Sequence, residues 1–134
     1  MPAKILTVLV VLSLVLAISA KLGVDIAWFN DVVSVDTAKC FLQKNLTFAI
    51  VQVGRSPGTL NTKAPQTIIN LQQAGYKDVD IYIYPKVNGN PVFQVYTVFA
   101  YLKSFNATSF NKVWFDIEQD DSDPWTNNCT YNIL

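Results

Sequence analysis

Between residues 23 and 117 the chain alternates short, nearly continuous apolar runs with longer stretches whose apolar positions recur every three or four residues. Gly23 to Trp28 reads as a short strand. Ser34 is placed to cap a helix over about Val35 to Gln43. Thr47 to Val53 is apolar almost throughout, the pattern of a strand covered by helices on both faces or set inside a barrel. Arg55-Ser-Pro-Gly then turns the chain into a helix over about Ala64 to Ala74, which Gly75 stops from the C′ position. Val79 to Tyr84 is a third strand, ended by Pro85. Val87-Asn-Gly-Asn forms a turn, and Asn90 with Pro91 supplies an N-cap and a first helical residue for a helix to about Phe105. Lys112 to Ile117 is the fourth strand. The order is βαβαβαβ, and connections of this length imply parallel, right-handed crossovers. The fold class is therefore α/β with parallel strands. After Ile117 the pattern dissolves into Gln119-Asp-Asp-Ser-Asp-Pro-Trp-Thr-Asn-Asn, which has the composition of a loop.

The N-terminus follows a different rule. Lys4 precedes an apolar run from Ile5 to Ala17, and Ile18-Ser-Ala20 offers small residues for cleavage, so residues 1–20 read as a signal peptide and 21–134 as the mature domain. The alternative is an uncleaved anchor, for which the run is short of the ~20 residues a spanning helix needs. Asn45-Leu-Thr, Asn106-Ala-Thr and Asn128-Cys-Thr are glycosylation sequons, which matter only in a secretory lumen. The expected location is therefore extracellular or within an endomembrane or lysosomal lumen. Cys40 and Cys129 are the two cysteines. Paired, they close a loop of about ninety residues, a constraint worth about 4–5 kcal/mol in the chain-entropy account. Left unpaired, they are two free or separately paired thiols.

Composition narrows the chemistry. With ten basic and ten acidic residues in 134, no positive field gathers phosphates, and nucleic acid is not an expected partner. The chain has no histidine, which removes Ser-His-Asp and Cys-His nucleophiles and histidine-based zinc sites. Catalysis would rest on carboxylates, with no cofactor implied. Glu118 is the only glutamate. It stands in a run with Asp116, Asp120, Asp121 and Asp123 at the end of the fourth strand.

Residues i and i+2 of a strand share a face about 6–7 Å apart, so Asp116 and Glu118 project together. Two such carboxyls do not ionise independently. One protonated and one charged member is the arrangement that glycosidic cleavage uses. The carboxyl ends of parallel strands are also where α/β folds bind ligands. The plainer alternative is a solvated acidic loop, which fits Asp120, Asp121 and Asp123 better than the first pair. A calcium loop fits less well, because its sixth and twelfth positions hold Asp121 and Asn127 in place of Gly and Glu. No metal site is expected. Asp25 lies inside an apolar strand, where a charge is partnered or opens into a cleft, or else caps a backbone N–H at the strand end.

Gly23-Val-Asp-Ile, Phe48-Ala-Ile-Val-Gln-Val, Ala74-Gly-Tyr with Asp80-Ile-Tyr-Ile-Tyr-Pro, and Trp114-Phe-Asp-Ile-Glu together resemble the glycoside hydrolase family 25 lysozymes, the nematode and protist type above all. The resemblance implies a (β/α) TIM-like barrel, of which this chain holds the N-terminal half. It implies cleavage of the β-1,4 bond between N-acetylmuramic acid and N-acetylglucosamine in bacterial peptidoglycan, in antibacterial defence or digestion. Glu118 is then the general acid, Asp116 stabilises the developing cation or orients the substrate N-acetyl group, and Asp25 completes the acidic cluster. Tyr82 and Tyr84 resemble the aromatics that line the family's cleft. The chain departs from the family in having Ala27 and Trp28 where Ser and a polar residue often follow the first-strand Asp, and in its length, since a typical barrel needs about 250 residues. Its partners would be peptidoglycan strands, with no membrane association after signal cleavage. The other functional class left open is a lysozyme-like protein without turnover that binds glycans or regulates a longer relative.

Overall fold

The computed structural model describes residues 20–119, 124 and 125. Four strands, β1 (Leu22–Ile26), β2 (Leu46–Gly54), β3 (Asp78–Ile83) and β4 (Val113–Phe115), alternate with three helices, α1 (Val35–Gln43), α2 (Ala64–Ala74) and α3 (Pro91–Ser104). The strands form one sheet in the order β1-β2-β3-β4, parallel at every step. The expected α/β class and its alternation are thus the observed ones, and a sheet of this kind is part of a (β/α) barrel wall. Residues 1–19 of the segment read as a signal peptide, the run Asp120 to Asp123, and Asn128 and Cys129 lie outside the described residues, as does any pairing of Cys40 with Cys129. Cys40 itself is exposed on α1.

The helix ends follow from local chemistry. Ser34 Oγ accepts the Thr37 N–H at 3.1 Å and Asn90 Oδ1 accepts the Phe93 N–H at 2.9 Å, each satisfying a donor that the first helical turn leaves open. Gly75 closes α2 at φ 106°, a left-handed conformation that lets its N–H return to the Leu71 and Gln72 carbonyls. Asn45 and Asn106, two of the three sequon residues, also have positive φ just beyond α1 and α3, and both are exposed.

Strands taken in sequential order with right-handed crossovers must place every helix on the same side. The burial pattern shows this. Ile26 of β1, Ala49, Val51 and Val53 of β2, and Val79, Ile81 and Ile83 of β3 are buried in one cluster with Ala38 of α1, Ala64, Ile68 and Leu71 of α2, and Val98 and Leu102 of α3. Their neighbours in the strands, Gly23, Asp25, Phe48, Ile50, Gln52, Asp80, Tyr82 and Trp114, alternate to the opposite face, which no helix among the described residues covers. The apolar run of β2 therefore reflects a barrel-type wall and not a sheet covered by helices on both sides. Its uncovered face carries the chemistry.

Candidate active site

The first candidate residue, Asp25, is on the uncovered face of β1 and is exposed, so its carboxyl opens into a cleft and is not buried within the apolar strand. Register places it level with Ile50 of β2 and Asp80 of β3. One step further toward the carboxyl ends, Gln52, Tyr82 and Trp114 stand side by side. Asp116 follows the end of β4, where its N–H donates to the Ile83 carbonyl at 2.9 Å. The fourth strand is therefore shorter than the predicted Lys112 to Ile117, and Asp116 and Glu118 lie just beyond it. They still come together: Asp25, Ile50, Tyr82, Trp114, Phe115, Asp116 and Glu118 line one open pocket of about 290 Å³. Three inter-strand steps of about 4.8 Å separate β1 from β4 in a flat sheet, so a shared pocket for Asp25 and Asp116 fits a sheet curled toward this face.

The electrostatics of the pocket follow from enclosure and like charge. Asp116 is partly buried, and that desolvation raises its carboxyl above the ordinary range; the Glu118 charge, a hydrogen bond with Glu118 and the Asp25 charge add to the effect. Tyr82 is buried, which pushes its phenol up, and the charges of Asp25, Asp116 and Glu118 push it the same way. It therefore stays protonated and is hydrogen-bonded to Asp25.

The structure separates the two candidate tyrosines. Tyr82 belongs to the acidic pocket, whereas Tyr84 lines a different one with Arg55, Phe93 and Gln94. The β2–β3 register slips between Gln52 and Gly54 and β3 ends at Ile83, so the alternation that pairs Asp80 with Tyr82 is not carried on to Tyr84.

Two supporting residues went unrecognised in the sequence. Asp80 is 2% exposed; its Oδ1 accepts the Lys112 N–H at 3.1 Å and its Oδ2 accepts the Trp114 indole N–H at 2.7 Å. It thereby ties the short β4, with the acid pair just after it, to β3. Gln52, also buried, accepts the Trp28 N–H on its Oε1 at 3.0 Å and the Asn61 side-chain amide on its carbonyl at 2.9 Å. Both are lone polar residues inside apolar runs, the same signal that singled out Asp25.

With this geometry established, comparison with known proteins decides the family. A family model described as lysozyme-like protein 1 matches residues 17–134. The chain belongs to the lysozyme-like proteins of glycoside hydrolase family 25. Among its relatives, probable GH family 25 lysozyme 2 of Dictyostelium discoideum is 34% identical over 107 residues, 79% of this chain and 49% of the relative. Probable GH family 25 lysozyme 4 of the same organism is 33% identical over 118 residues, 87% of this chain and 52% of the relative. Lysozyme-like protein 5 of Caenorhabditis elegans is 33% identical over 116 residues, 85% of this chain and 52% of the relative. The chain spans about half the length of the curated relatives it matches. No solved structure matches it at the same stringency. Among the described residues no helix is long and apolar enough to cross a membrane.

Proposed function

We propose that this chain carries the acid chemistry of a secreted muramidase, cleaving the β-1,4 bond between N-acetylmuramic acid and N-acetylglucosamine of bacterial peptidoglycan in defence or digestion. The observation that supports the reading is the convergence of Asp25, Asp116, Glu118 and Tyr82 on one pocket at the carboxyl end of a parallel sheet. Glu118 is the more exposed of the pair and meets the glycosidic oxygen, with the more enclosed Asp116 beside it in the same pocket. Delivery of a proton by Glu118 breaks the glycosidic bond, and the Asp116 carboxylate stabilises the oxocarbenium-like centre. Water adds its hydroxyl to the anomeric carbon and returns its proton to the pair. Tyr82 holds the Asp25 carboxyl by its hydrogen bond and so fixes the third acid of the cluster. Secretion is supported by the N-terminal segment and by two sequons, at Asn45 and Asn106, on exposed turns.

The test is lysis of bacterial cell walls followed by loss of turbidity and by release of reducing sugar. Glu118→Gln is expected to lower the rate by about 10²–10⁴-fold, the usual contribution of a general acid. Lysis that survives the substitution refutes the role given to Glu118. A second reading, a glycan-binding protein without turnover, is favoured by the open wall beside β4, where Trp114, Phe115 and Ile117 are all exposed. Binding of wall fragments with no release of reducing sugar selects it.

A further inference from the structure

Beside the acidic pocket, the same end of the sheet holds a second one of opposite character. Trp28, Phe29, Arg55, Leu60, Asn61 and Lys63 are among the residues that line about 330 Å³ of open space above the ends of β1 and β2. Its aromatic wall is rigidly held. Gln52 accepts the Trp28 N–H, and the turn that carries Trp28 and Phe29 is closed by Asn30, which donates its N–H to the Ala27 carbonyl at 3.1 Å and accepts the Ala27 N–H on its side chain at 2.8 Å. Even so, Trp28 is 46% and Phe29 70% exposed, an arrangement that apolar burial alone does not explain.

The cations in this pocket differ in what they already touch. Lys63 Nζ donates to the Asn30 carbonyl at 2.8 Å and pairs with Asp31 at 3.3 Å. Arg55 instead lies over the Trp28 ring with Cζ 3.9 Å from its centroid, and its Nε is enclosed without a hydrogen-bond partner among the described residues. A guanidinium stacked on indole, with no acceptor for its Nε among the described residues, presents its terminal N–H groups in a plane suited to a two-oxygen anion.

We infer that the Trp28–Arg55 pocket binds a carboxylate-bearing sugar of the glycan chain, with Arg55 holding the carboxylate and Trp28 and Phe29 meeting the ring or its acyl substituent. The inference deepens the muramidase reading and rests on it for the identity of the glycan. The acids at Asp25, Asp116 and Glu118 repel a carboxylate, while Arg55 attracts it, so the two pockets favour opposite signs of charge. A neutral chain gains nothing from this polarity. An acidic chain gains from Arg55 a charge-assisted contact that a neutral chain lacks.

The experiment is a calorimetric titration of the full chain with three tetrasaccharides: one containing N-acetylmuramic acid, the methyl ester of that compound, and a neutral chain of N-acetylglucosamine. The expected result is that the acid binds about tenfold or more tightly than its ester, a gain typical of a charge-assisted contact. Arg55→Met is expected to abolish that ratio while leaving the neutral chain unchanged, and Trp28→Ala to weaken all three. Equal binding of acid and ester by the unaltered chain overturns the inference without any variant, as does an acid preference that persists in Arg55→Met. Glu118→Gln keeps the two proposals apart. It is expected to stop cleavage and retain the acid preference. If the unaltered chain shows the preference and no cleavage, the muramidase reading falls and the anion pocket stands. If it cleaves and shows no preference, the anion pocket falls and the muramidase reading stands.

Discussion

Replacing Asp80 with alanine removes the one acceptor shared by the Lys112 N–H and the Trp114 indole N–H. A hydrogen bond of this type contributes about 1–1.5 kcal/mol net, and a buried donor left unsatisfied costs more. Trp114 is 48% exposed and Lys112 is also exposed, so both donors reach water after the substitution, and the loss stays near the lower figure for each bond. The sum is about 2–3 kcal/mol. For about a hundred ordered residues this lowers the melting temperature by roughly 8–15 °C. The assay is thermal and urea unfolding followed by circular dichroism, with the Trp114 indole N–H resonance recorded by NMR as a local probe. A double-mutant cycle with Trp114→Phe is expected to show a coupling of about 1 kcal/mol between the two positions. Because β4 is only three residues long and leads directly into Asp116, wall lysis is expected to fall together with stability. A variant that melts within about 2 °C of the parent, with the Trp114 resonance unmoved, refutes the idea that Asp80 fastens the fourth strand.

Tyr82→Phe removes the hydroxyl bonded to Asp25 and is expected to reduce lysis by up to about tenfold with little change in melting temperature, since the ring stays buried; unchanged kinetics count against a role for Asp25 in the cluster. The Asp116 carboxyl is raised on folding, so the folded chain binds more protons there, and this group's favourable contribution, full at low pH, declines as pH rises through and beyond the ordinary carboxylate range. Asp116→Asn is therefore expected to gain stability on the parent between about pH 3 and pH 7, by ~1 kcal/mol or less at so solvent-exposed a pair, while losing lysis; a gap that narrows with rising pH contradicts the sign. Gly23→Ala places a methyl 2.7 Å from the Phe48 carbonyl oxygen and 2.5 Å from its ring, which forces β1 away from β2. A loss of about 1–3 kcal/mol in urea unfolding is expected, and a neutral result refutes the close approach.

The helices were legible in the sequence because their limits are set within one turn. Ser34, Gly75 and Asn90 satisfy local backbone groups, and α1 and α3 begin and α2 ends where those residues place them. The strand ends were less so, because a strand continues only while a neighbour can bond to it. β4 stops at Phe115 since its partner β3 stops at Ile83, and among the described residues Ile117 has no strand partner there. The spacing of Asp116 and Glu118 foretold their meeting even though both lie past the strand. Which carboxyl is raised was not legible, because that depends on enclosure by Tyr82 and Trp114, supplied by two separate strands. The Trp28–Arg55 contact joins two loops 27 positions apart and leaves no periodic trace.

The common feature of the site residues is nevertheless a local one. Asp25, Gln52 and Asp80 each set a polar side chain among apolar strand residues, and each falls on the face that the right-handed crossovers leave without a helix among the described residues. A polar residue on the covered face would have to be desolvated against Ile68, Leu71 or Leu102, at a cost of several kcal/mol unless bonded. On the uncovered face the same residue meets water, another strand's side chain or a ligand. The handedness of the connections thus sorts the strand positions into two sets, one free to be apolar only and one free to carry charge. It is this sorting that lets a five-residue strand at one edge of the sheet and the segment just after a three-residue strand at the other contribute acids to one pocket.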